Sequence, residues 1–117
     1  MQQPDIHFST HGRAGLIELD RPKALNAISY EMAMAISTQI EHWSADAEIT
    51  HIVIAGSMPR AFCAGGDVRD LYQHITRGEF DRTRVYFQAE YNADLDVFNC
   101  PKPVVAIADG IVMGGGA

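Results

Sequence analysis

Two short apolar runs, each leading into a glycine loop, constrain the fold of this 117-residue chain more than any other feature. Residues 51–56 (HIVIAG) precede a loop that contains Gly65 and Gly66, and residues 104–108 (VVAIA) lead to a glycine triplet at 114–116. Short β-branched runs of this kind predict buried strands. Glycine at the end of a strand lets backbone N–H groups approach a ligand closely. The two runs therefore predict buried strands that end in two potential binding loops.

The other periodic segments predict an alternation of strands and helices. Residues 5–11 and 14–20 alternate apolar and polar side chains, which predicts two strands joined by a hairpin. Ser29 suits the N-cap of a helix over about 29–45, and a further helix is expected from near Asp67. The apolar stripe of the first helix consists of Met32, Ile36, Ile40 and Trp43.

The longest predicted helix covers residues 80–99 and ends before Pro101. Strands that alternate with helices predict an α/β fold with a largely parallel sheet. On the helical wheel of this last helix, one apolar stripe is expected from Phe87, Tyr91, Leu95 and Phe98.

Composition excludes several classes of partner. Nine basic and fifteen acidic residues give a net charge of −6, which argues against a nucleic-acid backbone or an anionic membrane as the main partner. No run of 18 apolar residues and no signal-peptide h-region is visible. Cys63 and Cys100 lack metal-ligand spacing and are expected to be reduced thiols, and the five histidines are scattered. We therefore expect no metal, no nucleic acid and no membrane partner.

The spacing of the glycines disfavours nucleotide binding. Neither loop fits GxGxxG, and neither ends in the Lys-Ser/Thr of a phosphate-binding loop. A single glycine after a strand is most often only a tight turn. Two loops that each follow a buried strand can instead direct two N–H groups at one oxygen, which is the geometry of an oxyanion hole.

Three motifs in series resemble the enoyl-CoA hydratase/isomerase (crotonase) superfamily. They are residues 19–27 (LDRPKALNA), 61–67 (AFCAGGD) and 110–116 (GIVMGGG), and the likeness covers about residues 10–117. Residues 86–91 (YFQAEY), 100–103 (CPKP) and Met113 look most like the 3-hydroxyisobutyryl-CoA hydrolase branch.

The resemblance implies a spiral of ββα turns, with residues 1–117 as the N-terminal part of one domain that stops inside the second loop. It implies processing of acyl-CoA thioesters, most simply hydrolysis of 3-hydroxyisobutyryl-CoA to 3-hydroxyisobutyrate and CoA in valine catabolism. The alternatives are an enoyl-CoA hydratase/isomerase and a non-catalytic acyl-CoA-binding fragment. No cofactor is expected, because coenzyme A belongs to the substrate. The expected location is the cytoplasm, or the mitochondrial matrix of a eukaryote, and a homotrimer is plausible for the family.

The resemblance also implies roles for seven positions. The amides of Gly66 and Gly115 would hold the thioester oxygen, and Glu90 would contact the substrate. The coenzyme A portion would lie along four residues, with Lys23 near phosphate and the carbonyl of Ala64 on the adenine amino group: Lys23, Ala24, Leu25 and Ala64.

Ordinary structural roles compete with these assignments. Lys23 in a turn is usually solvated, and Glu90 on a helix is usually a surface residue. Periodicity alone would favour Asp94 over Glu90 as the unusual carboxylate. Asp67 is interpreted as structural, at a helix N-terminus, in preference to a catalytic base.

The reaction itself depends on carboxylates that follow these loops. In the hydratase branch, a catalytic glutamate lies three residues past the middle glycine, at the position after Ala117. We therefore expect residues 1–117 alone to be inactive and to expose apolar sheet surface.

Overall fold

The computed structural model describes residues 5–57, 61–112 and 116. Within them, the predicted strands and helices occur in the predicted order, together with two short strands that were not predicted. The strands are β1 (Ile6–His11), β2 (Ala14–Leu19), β3 (His51–Gly56), β4 (Ala61–Cys63), β5 (Val104–Ile107) and β6 (Ile111–Val112). The helices are α1 (Tyr30–Ser44), α2 (Val68–Thr76) and α3 (Phe80–Phe98), with a 3₁₀-helix at Pro22–Ala24.

The main sheet has the strand order β1-β2-β3-β5. The β1–β2 hairpin is antiparallel, with Ile6 opposite Leu19, and the pairs β2–β3 and β3–β5 are parallel. The predicted α/β arrangement with a largely parallel sheet is thus confirmed. Parallel pairing places the carboxyl ends of β2, β3 and β5 at the same edge, so the segments that follow them start close together.

Helix α1 forms as its sequence predicts. The Ser29 hydroxyl accepts a hydrogen bond from the Met32 amide at 3.2 Å, which satisfies one of the free N–H groups of the first turn. All four residues of the predicted apolar stripe are buried. They pack into the core together with Ile6, Ile17, Leu19, Ala33, Ile49, Ile52, Phe62, Cys63, Ala89 and Ala93.

The predicted apolar stripe of α3 does not face the core. Phe87, Tyr91, Leu95 and Phe98 are exposed. The helix instead buries Tyr86, Ala89 and Ala93, because small alanines let its backbone approach α1 closely. The helical wheel grouped the apolar residues correctly, but it did not identify the packed side.

The expectation of a buried strand at residues 104–108 is also wrong within the described residues. Val105 and Ile107 of β5 are 53% and 56% exposed. The strand is at the edge of the main sheet and pairs only with β3 there. The apolar side chains of β5 therefore form a surface that no described residue covers.

Two short strands lie inside segments that were predicted to be loops. Strands β4 and β6 pair in parallel as a separate two-stranded sheet. They contain three and two residues, which is too short to produce a period-2 signal in the sequence.

Candidate functional site

The segment that follows β2 begins at an anchored carboxylate. His7 Nε2 lies 2.8 Å from Asp20 Oδ2, and the Ser57 hydroxyl donates to Asp20 Oδ1 at 2.9 Å. The bond with His7, and then the bond from Ser57, lower the pKa of Asp20. The ends of β2 and β3 are therefore tied together where the site begins.

Two residues of this segment adopt the left-handed conformation. Leu25 has φ 52° and Asn26 has φ 58°, a region that asparagine tolerates and leucine adopts at a cost. The Asn26 side chain is fully buried and accepts from the Arg21 amide at 2.7 Å. It also donates to the carbonyls of Ala61 and Phe62 at 3.3 and 3.1 Å. One amide side chain thus closes the turn and joins it to β4.

An ion pair joins the same segment to the first glycine loop. Arg21 Nη2 lies 2.8 Å from Asp67 Oδ2, and Arg21 Nη1 donates to the Ala27 carbonyl at 3.0 Å. Asp67 is buried and directly precedes α2. This arrangement supports the structural interpretation of Asp67.

The direction of the Gly66 amide follows from the bonds of its neighbours. The Ile28 amide donates to Gly65 O at 2.7 Å, and the Asp67 amide donates to Ile28 O at 3.2 Å. The N–H of Gly66 belongs to the same planar trans peptide as Gly65 O and points the opposite way. This parallel bridge leaves the Gly66 N–H outside the ladder, directed away from Ile28 and able to bind a ligand.

Gly66 lies between a tyrosine and a glutamate of α3. A Cβ atom added to Gly66 would be 2.9 Å from Tyr86 Oη and 3.1 Å from each carboxylate oxygen of Glu90. The Tyr86 hydroxyl donates to Ile28 O and accepts from the Asp67 amide, both at 2.7 Å. The structure therefore brings together Gly66 and Glu90, two of the residues that the sequence predicts for the site.

The described residues on either side of the second glycine loop, β6 and Gly116, lie beside β4. Strand β6 pairs with β4, and a Cβ atom added to Gly116 would be 2.6 Å from Cys63 O and 2.8 Å from Cys63 Sγ. Only glycine permits so close an approach. Gly115 lies outside the described residues, so the direction of its amide stays a prediction.

A groove of about 670 Å³ is lined in part by Phe62 of β4 and by Gly116. Its walls are mainly apolar, and the carboxylates of Glu90 and Asp94, one helical turn apart on α3, line it together. The groove is also lined by Leu19, Ile28, Ile36, Ile54, Phe62, Ala93, Val97, Phe98, Cys100, Lys102, Val104, Ala106 and Gly116.

The apolar walls change the acidity of the groups in the groove. Burial raises the pKa of Glu90, and the neighbouring Asp94 carboxylate raises it further. Burial also raises the pKa of Asp94. The pKa of the Cys63 thiol is raised mainly by burial, which keeps this thiol protonated and unreactive. The Lys102 ammonium donates to two backbone carbonyls at the end of α1.

The four residues predicted to lie along coenzyme A occupy two segments that are bonded to each other. Lys23 is exposed on the 3₁₀-helix, while Ala24, Leu25 and Ala64 are partly buried. The Ala64 amide donates to Leu25 O at 3.1 Å. Lys23 makes no ion pair within the described residues, so its ammonium is available to a phosphate.

Sequence reasoning gave no role to several residues that hold the site together. Asn26 and Arg21 lie in the quoted 19–27 motif, and Tyr86 lies in the 86–91 motif, but the motifs do not show what these side chains bind. Asp94 was distinguished by its helical position alone, and the structure places it beside Glu90 in the groove. The sequence offered Glu90 and Asp94 as alternative carboxylates, and the structure places both of them in the groove.

The described part of the chain contains no cluster of three His, Cys, Asp or Glu side chains arranged to hold a metal ion. Within residues 5–57, 61–112 and 116, no helix combines the length and the apolar composition needed to cross a bilayer.

Known proteins are similar to this chain in sequence. A family described as enoyl-CoA hydratase/isomerase matches residues 14–117. The mitochondrial 3-hydroxyisobutyryl-CoA hydrolase of Gallus gallus is 46% identical over 112 residues, which is 96% of this chain and 29% of that protein. The enzyme of the same name from Homo sapiens is 41% identical, with the same coverage. The chain thus spans about 29% of the length of these curated relatives.

Solved structures are similar in fold. An enoyl-CoA hydratase from Rhodobacter sphaeroides superposes with a TM-score of 0.90 at 37% identity, over 96% of this chain and 33% of that one. A carnitinyl-CoA dehydratase from Mycobacterium thermoresistibile superposes with a TM-score of 0.91 at 34% identity, over 97% of this chain and 33% of that one.

Proposed function

Since this chain belongs to the enoyl-CoA hydratase/isomerase family, we propose that it supplies the first oxyanion-hole amide of an enzyme that acts on coenzyme A thioesters. The observation that carries this proposal is the Gly66 amide. Within the described residues the bridge to Ile28 leaves its N–H without a backbone partner, and Gly66 lies close to Glu90, whose carboxylate lines the apolar groove. Gly115, the second predicted donor, lies outside the described residues.

The proposed chemistry depends on which atom of the substrate becomes negatively charged during the reaction. When a thioester carbonyl is attacked, or loses a neighbouring proton, its oxygen becomes negative. Two fixed N–H donors, from Gly66 and Gly115, stabilise that oxygen without having to reorganise during the reaction. Removing one such donor typically costs about 3–4 kcal/mol of transition-state stabilisation.

The coenzyme A portion would run along the two segments that the bond between Ala64 and Leu25 joins. Lys23 would neutralise phosphate charge, Ala24 and Leu25 would contact pantetheine, and the Ala64 carbonyl would accept from the adenine amino group. No separate cofactor is required, because coenzyme A arrives as part of the substrate.

Hydrolysis is the reaction that we favour. Water adds to the carbonyl of 3-hydroxyisobutyryl-CoA, and the C–S bond then breaks to give 3-hydroxyisobutyrate and the free thiol of CoA, a step of valine catabolism. The curated relatives at 41–46% identity bear the name of this hydrolase. In addition, the partly buried Glu90 lines the apolar groove, which supports the proposed contact between its carboxylate and the acyl group.

The solved structures named enoyl-CoA hydratase and carnitinyl-CoA dehydratase favour a second candidate, addition of water to, or its removal from, an acyl-CoA double bond. Both candidates use the same oxyanion hole. They differ in the carboxylates that handle the proton and the water.

The deciding experiment presents both substrates to the full-length protein that contains this chain. We expect release of CoA thiol from 3-hydroxyisobutyryl-CoA and little hydration of crotonyl-CoA. Hydration alone would replace the favoured reaction with the second candidate. Tight binding of acyl-CoA without turnover of either substrate would show a non-catalytic binding protein.

Location and assembly follow the same proposal. We propose the cytoplasm, or the mitochondrial matrix if the source is a eukaryote, since the curated relatives are named mitochondrial. We also propose a homotrimer for the full-length protein. Cell fractionation tests the first proposal, and sedimentation of the purified protein tests the second.

A further inference from the structure

We propose that the Tyr86 hydroxyl sets the direction of the Gly66 amide, which makes Tyr86 a positioning residue for the oxyanion hole. This inference rests on the proposed function of Gly66 and assigns Tyr86 a task beyond packing. Tyr86 itself does not need to touch the substrate.

Tyr86 joins three separate parts of the chain through one oxygen atom. Its ring lies on α3 and is 2% exposed. Its hydroxyl donates to Ile28 O and accepts from the Asp67 amide, each at 2.7 Å. These short bonds link α3 to the segment after β2 and to the start of α2, on both sides of Gly66.

One backbone bond and one Tyr86 bond hold the two peptide groups that flank the α-carbon of Gly66. The peptide that contains the Gly66 N–H is held on its carbonyl side by the Ile28 amide, at 2.7 Å from Gly65 O. The next peptide is held by Tyr86 through the Asp67 amide. Because peptides are planar, holding both units leaves little freedom for the rotation of Gly66 between them. Without the hydroxyl, the Ile28 carbonyl would lose its 2.7 Å bond and keep, among the described residues, the longer bond from the Asp67 amide at 3.2 Å.

The same hydroxyl also limits the space at Gly66. An added Cβ atom there would come within 2.9 Å of Tyr86 Oη. Tyr86 and Glu90 are one helical turn apart and both face Gly66, so α3 presents a positioning group and a substrate-contacting group to the same amide.

Tyr86→Phe is the informative substitution, because it keeps the buried ring and removes only the hydroxyl. Tyr91→Phe is the matched control on the same helix. Tyr91 is exposed and stacks on Phe87 at 6.0 Å, and within the described residues its hydroxyl makes no hydrogen bond. The two variants make the same chemical change, one at the amide and one away from it.

The test measures kcat, KM and amide hydrogen exchange in the full-length protein. We expect Tyr86→Phe to lower kcat about tenfold with KM changed less than about twofold, since the lost bonds orient a donor used in the transition state. Exchange at the Asp67 amide should speed up about tenfold, while exchange at Ala33 in α1 stays unchanged. Tyr91→Phe should change none of these quantities.

Several results would overturn the inference. They are an unchanged kcat in Tyr86→Phe, equal effects of the two variants, or equal acceleration of exchange at Asp67 and Ala33, which would indicate a general loss of stability. Absence of turnover by the wild-type protein would instead count against the proposed function. The ratio of exchange rates at Asp67 and Ala33 would then still decide whether Tyr86 holds this loop.

Discussion

Replacing Gly66 by alanine probes the site most sharply. The φ angle of Gly66 is not positive, so the backbone accepts an L-residue, and any effect must come from the space around the new methyl group. That group would lie 2.9 Å from Tyr86 Oη and 3.1 Å from both Glu90 oxygens. The hydroxyl cannot move away without giving up two bonds of 2.7 Å. At about 1–1.5 kcal/mol for each bond, we expect a loss of about 2–3 kcal/mol in the free energy of unfolding.

Gly78→Ala is the matched control. Gly78 has φ 69° and no atom within 4 Å of an added Cβ, so this variant should lose about 1–2 kcal/mol through backbone strain alone. Denaturant unfolding of the full-length protein gives both free energies, and thioester turnover gives kcat. We expect Gly66→Ala to lower kcat about 100-fold or more and Gly78→Ala to leave it unchanged. A kcat for Gly66→Ala within about threefold of wild type would refute the reasoning.

Four further predictions concern groups around Gly66. Asp94→Asn should lower the pKa of Glu90 by removing a like charge, as followed by carboxyl NMR titration, and an unchanged pKa would contradict the shared groove. The pKa values of Glu90 and Asp94 are raised, so the folded protein keeps these protons to a higher pH than the unfolded chain does. The free energy of unfolding should therefore fall as the pH rises from the unfolded to the folded pKa of these groups. Glu90→Gln should make this fall smaller. Asn26→Ala should lower the free energy of unfolding by about 2–4 kcal/mol, because it removes the side-chain partner of the Arg21 amide and of two β4 carbonyls. A loss under about 1 kcal/mol in a denaturant titration would contradict this prediction. Arg21→Met should cost about 3 kcal/mol in the same assay by removing the guanidinium beside the buried Asp67, and Arg21→Lys should recover part of that loss.

Much of the fold was predictable because local signals and tertiary packing agree. Residues 51–56 are β-branched and form β3, and the Ser29 cap and the stripe through Trp43 place α1 correctly. The expected α/β, crotonase-like arrangement is confirmed by TM-scores of 0.90 and 0.91 against two solved structures. The family, predicted from three motifs in series, is confirmed by the match over residues 14–117.

Packing direction was less predictable. On α3 the large apolar residues form one stripe, yet the helix packs through Ala89 and Ala93. A hydrophobic pattern reports which residues prefer to leave water, but it does not report which neighbour covers them. The same holds for β5, where the apolar pattern did not show that no described residue covers Val105 and Ile107.

The candidate site was predictable from the family motifs and not from periodicity. Gly66 and Glu90 are 24 positions apart in sequence, and only the turn that brings α3 back over the first loop makes them neighbours. Tyr86 had no signal of its own, because a tyrosine on a helix is most often a core residue. Its function as a link appears only when the two hydrogen bonds of its hydroxyl are known.

The central claim is that the amides of Gly66 and Gly115 bind one carbonyl oxygen. A crystal structure of the full-length protein with an acyl-CoA analogue that cannot be hydrolysed tests this claim most directly. We predict that the thioester oxygen lies about 2.7–3.2 Å from both amide nitrogens, with the acyl group beside Glu90. A thioester oxygen beyond hydrogen-bond distance of the Gly66 nitrogen, with the acyl group bound elsewhere, would contradict the account.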